Sequence, residues 1–270
     1  MTNHVAITHN TLKEAGYTPV TNFKATAKMA SVPVLDIELP YVTQYMSVAF
    51  SKTTQQGNEN YVLTGIQSLT PNNNLFLHPN GQWLFGYQPA FYRSHPFSLQ
   101  RGATPGQLQL SIQEDHITYE LTEDTPRFFD NEKLTDDMQK MVTFLTETFR
   151  SRVSTAALVK SLQEAGLIVP WPIGITEMGA NNTQQTKTLQ GLYHIDAEAL
   201  NALPAEQLAT LNASGALKLA FAQLLSESRI NDLTRLQLAQ QKHNVQEGDQ
   251  PISDPDLDDL FGNNDDLLSF

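Results

Sequence analysis

The 270-residue chain has no cysteine. That excludes disulfides, thiolate metal centres and cysteine nucleophiles, and it agrees with a reducing compartment. No run approaches the roughly 18–20 apolar residues that span a bilayer. The opening stretch, Met1 to Asn10, lacks the basic region and apolar core of a signal peptide. The cytoplasm is therefore the expected location. Positive charge is scarce: 17 Lys and Arg stand against 29 Asp and Glu, a net charge of −12. With no basic stripe to neutralise phosphates, nucleic-acid binding is not expected. The chain also lacks a phosphate-binding loop, a G-x-G-x-x-G turn, a G-x-S-x-G elbow and an S-x-x-K pair. Its seven histidines include no pair at the i,i+2 or i,i+4 spacing of metal ligands. No catalytic residue, metal site or cofactor is assigned.

The acid pairs that do occur fit structural roles. Glu114-Asp115 falls in an expected hairpin turn and Glu123-Asp124 precedes Pro126. Asp136-Asp137 opens an expected helix, where the dipole favours anions. The negative charge is concentrated at the far end. From Glu247 to Phe270 there are eight acids and no Lys or Arg, so without this tail the net charge falls from −12 to −4.

The hydrophobic period changes along the chain, which points to an α+β fold. Residues 1–28 are polar and read as a flexible N-terminal arm or a short early strand. A domain is expected over 29–243, with a mostly antiparallel sheet half at 29–125 and a helical half at 134–243 packed on it. Strands are expected at Val32–Leu39, Tyr45–Phe50 and Tyr61–Ile66, where β-branched and aromatic residues gather. Asn80-Gly81 marks a hairpin turn between Leu75–Leu77 and Gln82–Phe85. A further hairpin is expected between Leu108–Ile112 and Ile117–Leu121. From Met138 to Leu162 the apolar residues recur every three to five positions, Phe149 and Val153 among them. This predicts an amphipathic helix capped by Thr135 and ended by Gly166. A polar loop or loose hairpin follows at 174–190, then a strand at Leu192–Ile195. Helices are expected over Ala205–Asn212 and Ala216–Gln241, the latter broken near Asn231-Asp232. Its apolar face is read as Leu217, Ala220, Phe221, Leu224, Leu225, Leu233, Leu236 and Leu238. Residues 244–270 read as a disordered acidic tail.

Two stretches invite a functional reading. Trp83 to Phe97 holds six aromatic rings together with Arg93 and His95. Aromatics around one guanidinium can cradle an anionic or aromatic ligand or a peptide. The same residues also fit a hydrophobic turn packed on the sheet and braced by Arg93. The candidate ligand- or peptide-binding residues are Trp83, Tyr87, Tyr92, Arg93, His95 and Arg127. The second stretch is the tail, where Leu257, Leu260, Phe261, Leu267, Leu268 and Phe270 sit among aspartates. Solvating acidic tails lack large apolar residues. This one has the composition of a segment that folds into a basic-rimmed groove on a partner.

The order Trp83, Tyr87-Gln-Pro-Ala-Phe-Tyr-Arg93 and His95-Pro-Phe97 resembles the SapC-like family of surface-layer loci. That family carries an aromatic-x-PA-aromatic-x-R-x-aromatic-P-F pattern. Glu123-Asp124 with Pro126-Arg127 resembles its acidic stretch, and Gly191 to Asp196 with Leu200, Leu203-Pro204 and Phe221 to Ser226 resembles its helical half. The likeness covers about residues 30–240 and departs at His95, where the family often has Tyr. It is not a likeness to the peptide-transport permease of the same name. The resemblance implies an accessory protein linked to outer-membrane receptors, cupin-like proteins or flavin-dependent halogenase-like enzymes, and it carries over no catalytic residue. The expected function is a non-catalytic adaptor that engages a protein partner through the tail. The alternatives are an enzyme or enzyme subunit with a site around 83–97, and a surface-layer-associated structural protein.

Overall fold

The computed structural model describes residues 3–55, 58–102, 107–178 and 184–246. The fold is α+β, with antiparallel sheets in the N-terminal half and helices in the C-terminal half. The chain forms two compact units. One is built from residues 1–21 and 89–155, the other from 22–88 and 156–270. Each unit takes strands and helices from separate parts of the chain.

In the first unit the central strand is Leu108–Gln113, flanked by His4–Ala6 and Phe97–Arg101. Of the two readings of the N-terminus, the structure has the early strand, with Val5 opposite Ile112. A turn of helix, His9–Leu12, follows, and Thr8 accepts the Thr11 N–H at its start. Ile7, Leu12 and Ala15 are buried with Phe97, Leu110, Ile112 and Phe128. Burial of these side chains is what orders a segment whose composition is polar. The expected hairpin over 108–121 does not form. Glu114–His116 is a 3-10 turn, and Ile117–Thr118 pairs with Gly16–Tyr17 instead. Gly16 is required there: a Cβ would lie 2.6 Å from the Pro126 carbonyl oxygen. The helix Asp136–Glu164 starts as expected, with Thr135 Oγ1 accepting the Met138 N–H at 3.4 Å. Met138 and Leu145 reach the core of this unit, whereas Phe149 and Val153 are exposed, which corrects their placement on the apolar face.

The second unit carries a five-stranded antiparallel sheet. Its order is Ile168–Pro170, Leu192–Ile195, Val48–Gln55, Asn58–Ile66 and Ser31–Pro33. The expected strand Val32–Leu39 is thus cut to Ser31–Pro33. Beyond it the chain winds into a 3-10 turn, Asp36–Glu38, and a short helix, Leu39–Val42. Two residues drive that change: the Glu38 carboxylate accepts the Leu35 N–H at 3.0 Å, and Pro40 favours a helix start. Around Asn80-Gly81 the turn forms, with Gly81 at φ 90°, but only Leu77 and Trp83 bridge across it. The loose hairpin is present as Ile173–Met178 with Gln184–Leu189.

The helix Ala216–Ser226 meets this sheet through polar side chains. Gln223 is fully buried; its Nε2 donates to the Val48 carbonyl at 3.1 Å and its Oε1 accepts the Ile195 N–H at 2.9 Å. Ser226 Oγ accepts the Val48 N–H at 2.9 Å. Direct pairing of these two strands covers Leu192 with Ser51 and Tyr193 with Phe50. Gln223 and Ser226 thus complete the ladder where the strands part. The helix is rotated to bring them inward, so Phe221 and Leu225 turn outward, 48% and 79% exposed. That corrects the expected apolar face, as does exposed Leu238. The break before the last helix, Ile230–Gln246, is a 3-10 turn at Glu227–Arg229, slightly earlier than Asn231-Asp232.

Candidate functional site

The aromatic stretch 83–97 spans the boundary between the units, so its candidate residues divide. Trp83 and Tyr87 belong to the second unit; Tyr92, Arg93, His95 and Arg127 belong to the first.

In the second unit Tyr87 is locked from both ends. Its hydroxyl donates to Glu38 Oε1 at 2.9 Å, and its carbonyl accepts the Trp83 indole N–H at 3.1 Å. Glu38 is 2% exposed and holds the Leu35 N–H with its other oxygen. A buried carboxylate is tolerated only when its oxygens are hydrogen-bonded; here it serves as a fixed post. The Tyr87 ring stacks on Tyr41, with centroids 5.2 Å apart and planes 16° apart. Tyr41 is 54% exposed and Ile37, four residues earlier, is 57% exposed. Trp83 and Phe85 pack on buried Phe76. The result is a rigid aromatic shelf with an apolar outer surface. Glu38, Tyr41 and Ile37 were not among the sequence candidates, because their segment reads as an alternating strand. The signal that could have revealed them is Pro40 two residues after Glu38, a helix-start pattern.

In the first unit the four candidates do not converge. Tyr92 is buried in the turn of helix Ala90–Arg93, while Arg93 is exposed and lies over the Phe144 ring at 5.0 Å. Such an exposed cation–π contact contributes about 0.5–1 kcal/mol. Arg127 is exposed, and its backbone bridges Gly16 and accepts the Thr135 hydroxyl at 3.1 Å. His95 meets His116 edge to face at 5.2 Å. Burial above all, and then the neighbouring His116 and His4, push its pKa below the ordinary histidine value.

Elsewhere in the second unit His194 Nδ1 meets Glu227 Oε1 at 2.8 Å under the stacked Trp171 ring. Glu227 Oε1 also accepts Gln223 Nε2 at 3.1 Å, so the pair extends the polar seam of the helix. Among the described residues no three His, Asp or Glu side chains are arranged to hold a metal ion. No single described helix is long and apolar enough to cross a membrane. Leu257, Leu260, Phe261, Leu267, Leu268 and Phe270 lie outside the described residues.

The SapC family model matches residues 7–233, most of the chain. Comparison with the curated proteins gives no match, and comparison with the solved structures gives none either. The chain belongs to the SapC family.

Proposed function

We propose that this SapC-family chain is a non-catalytic adaptor that engages a protein partner. The observation that carries the reading is the Tyr41–Tyr87 shelf. Exposed aromatic rings held rigid in the free protein lose little freedom on binding, and such anchors dominate interface energies. A ring stacked on a neighbour that is itself hydrogen-bonded to a buried carboxylate is costly to build. Solvent exposure alone gives no return for that cost; a partner surface does. The tail anchors Leu257 to Phe270 supply a second contact of the coupled-folding kind. An enzyme of the peptide- or protein-modifying type fits as partner, because the family likeness points to an accessory role.

The test is affinity capture from the native source, with three forms compared: the full chain, Ile37→Ser with Tyr41→Ala, and a form lacking 247–270. Loss of a central aromatic anchor costs about 2 kcal/mol, roughly 30-fold in affinity. The double substitution is expected to remove the main co-purifying protein. Equal recovery with all three forms would rule the adaptor reading out.

A further inference from the structure

The strand Phe97–Arg101 has an open outer edge. It is the end strand of its sheet, bonded on one side to Leu108–Gln113. The Gly102 N–H donates to the Gln107 carbonyl at 2.8 Å, which sets the alternation. By that alternation Ser98 and Gln100 bond inward, and Leu99 and Arg101 turn their N–H and C=O groups outward. Among the described residues no partner meets those outward groups. The two edges of the five-stranded sheet, and the opposite edge of this sheet, are protected. Ser31–Pro33 and Ile168–Pro170 each end in proline, and His4–Ala6 is three residues long. Proline and shortness are the usual guards against strand addition. Phe97–Arg101 is five residues long and has no proline.

Beside this strand lies a cleft of about 90 Å³, lined by Phe97 and Leu99 of the strand, by Leu145, Phe149 and Arg152 of the long helix, and by three hydroxyl side chains. An apolar cavity of roughly 150 Å³ takes a benzene ring, so this cleft has room for one aliphatic side chain. No acid lines it. Arg152 is exposed and, among the described residues, has no ion-pair partner. The strand itself ends on exposed Arg101. An open edge, a small notch of mixed lining and guanidinium groups without an ion-pair partner among the described residues together define a site for an extended peptide. It would carry an aliphatic anchor next to carboxylates and add as a further strand.

We infer that Phe97–Arg101 and the helix face Leu145–Arg152 form a strand-addition site, and that its occupant is the chain's own segment Asp265-Asp-Leu-Leu-Ser-Phe270. The assignment is one of charge and shape. The segment from Asp254 to Phe270 has six aspartates and no Lys or Arg. Its Asp265-Asp266 pair directly precedes Leu267-Leu268, which places carboxylates for Arg152 next to a leucine for the notch. The inference rests on reading the tail as a docking segment, and it names a receptor for that segment. It does not involve the aromatic shelf.

The test is direct binding between purified components. A labelled synthetic peptide of residues 254–270 is titrated into the full-length chain whose six tail anchors are replaced by serine, so that it cannot compete. Saturable binding is expected, weakened at least tenfold by Arg152→Glu on the exposed helix face. Leu99→Pro is expected to weaken it similarly. It removes one outward N–H, and edge strands accept proline where the N–H is not bonded inward. Circular dichroism of both variants confirms that they fold. Absence of binding, or binding unchanged in both variants, overturns the site. Partner capture is a separate measurement, so failure here leaves the adaptor reading to be judged by its own experiment.

Discussion

In the unit built from residues 1–21 and 89–155, helix meets sheet through Met138 and Leu145 against Leu110, Ile112 and Phe97. In the other unit, the helix Ala216–Ser226 meets its sheet through Gln223 and Ser226, both fully buried and bonded to strand backbone. The same join is made once with side chains that avoid water and once with side chains that replace ladder hydrogen bonds. The first kind tolerates any apolar residue of similar volume. The second tolerates almost nothing, because removing the amide leaves a buried N–H and a buried C=O unmatched.

The contrast has measurable consequences. Gln223→Leu keeps the volume and raises the hydrophobicity, yet it leaves Ile195 N–H and Val48 C=O without partners. At about 1–3 kcal/mol for each group, it is expected to cost roughly 4 kcal/mol. Both tryptophans, Trp83 and Trp171, lie in this unit, so urea unfolding followed by their fluorescence reads the loss. A midpoint at or above that of the parent protein would remove the distinction between the two joins.

In the first unit the comparable change should be mild. Leu145→Met is expected to cost less than about 1.5 kcal/mol, whereas Leu145→Ala opens a cavity and costs about 3 kcal/mol. Hydrogen exchange of the central strand Leu108–Gln113 measures both. A methionine as costly as the alanine would show that this join also depends on fine fit.

The smallest effect concerns pH. His95 has a folded-state pKa below the ordinary value of about 6.5, so the unfolded chain binds its proton more readily. Its contribution to stability is intact above pH ~6.5 and is lost as pH falls from there towards the folded pKa. His95→Gln is therefore expected to lose less stability than the parent protein between pH 7 and pH 5.5. His116 and His4, which face it, remain in the variant. An identical drop in both proteins would mean that His95 is not the group responsible.

The same contrast explains what could be read from the chain. The helix from Asp136 was legible because its Thr135 cap, its acidic first turn and its apolar period agree. Gly166, at φ 72°, ends it as expected. The hairpin strands around 48–66 were legible from their β-branched residues. The orientation of Ala216–Ser226 was not. Periodicity weighs leucines, and Phe221 and Leu225 outweighed a glutamine whose value lies in the polar groups it meets, two of them backbone. Of the aromatic shelf, Tyr87 stood among the sequence candidates and its supports did not, since Glu38 and Tyr41 are far from it in sequence. Arg93 and Tyr92 are neighbours that point to different environments, which no count of aromatics could show.

The way the chain alternates between units has a consequence for how the protein is made. The strand His4–Ala6 is made well before its partner, since Ile112 lies 107 positions after Val5. At about 5–20 residues per second, the strand waits on the order of 5–20 s for something to pair with. Residues 22–88, which belong to the other unit, emerge in the interval. That unit in turn waits for Ile195 and Gln223 before its ladder can close. By order of synthesis the first unit has all its residues at position 155, while the second still waits for Gln223. The two are committed to late, long-range closure, a regime in which nascent chains depend most on holding factors.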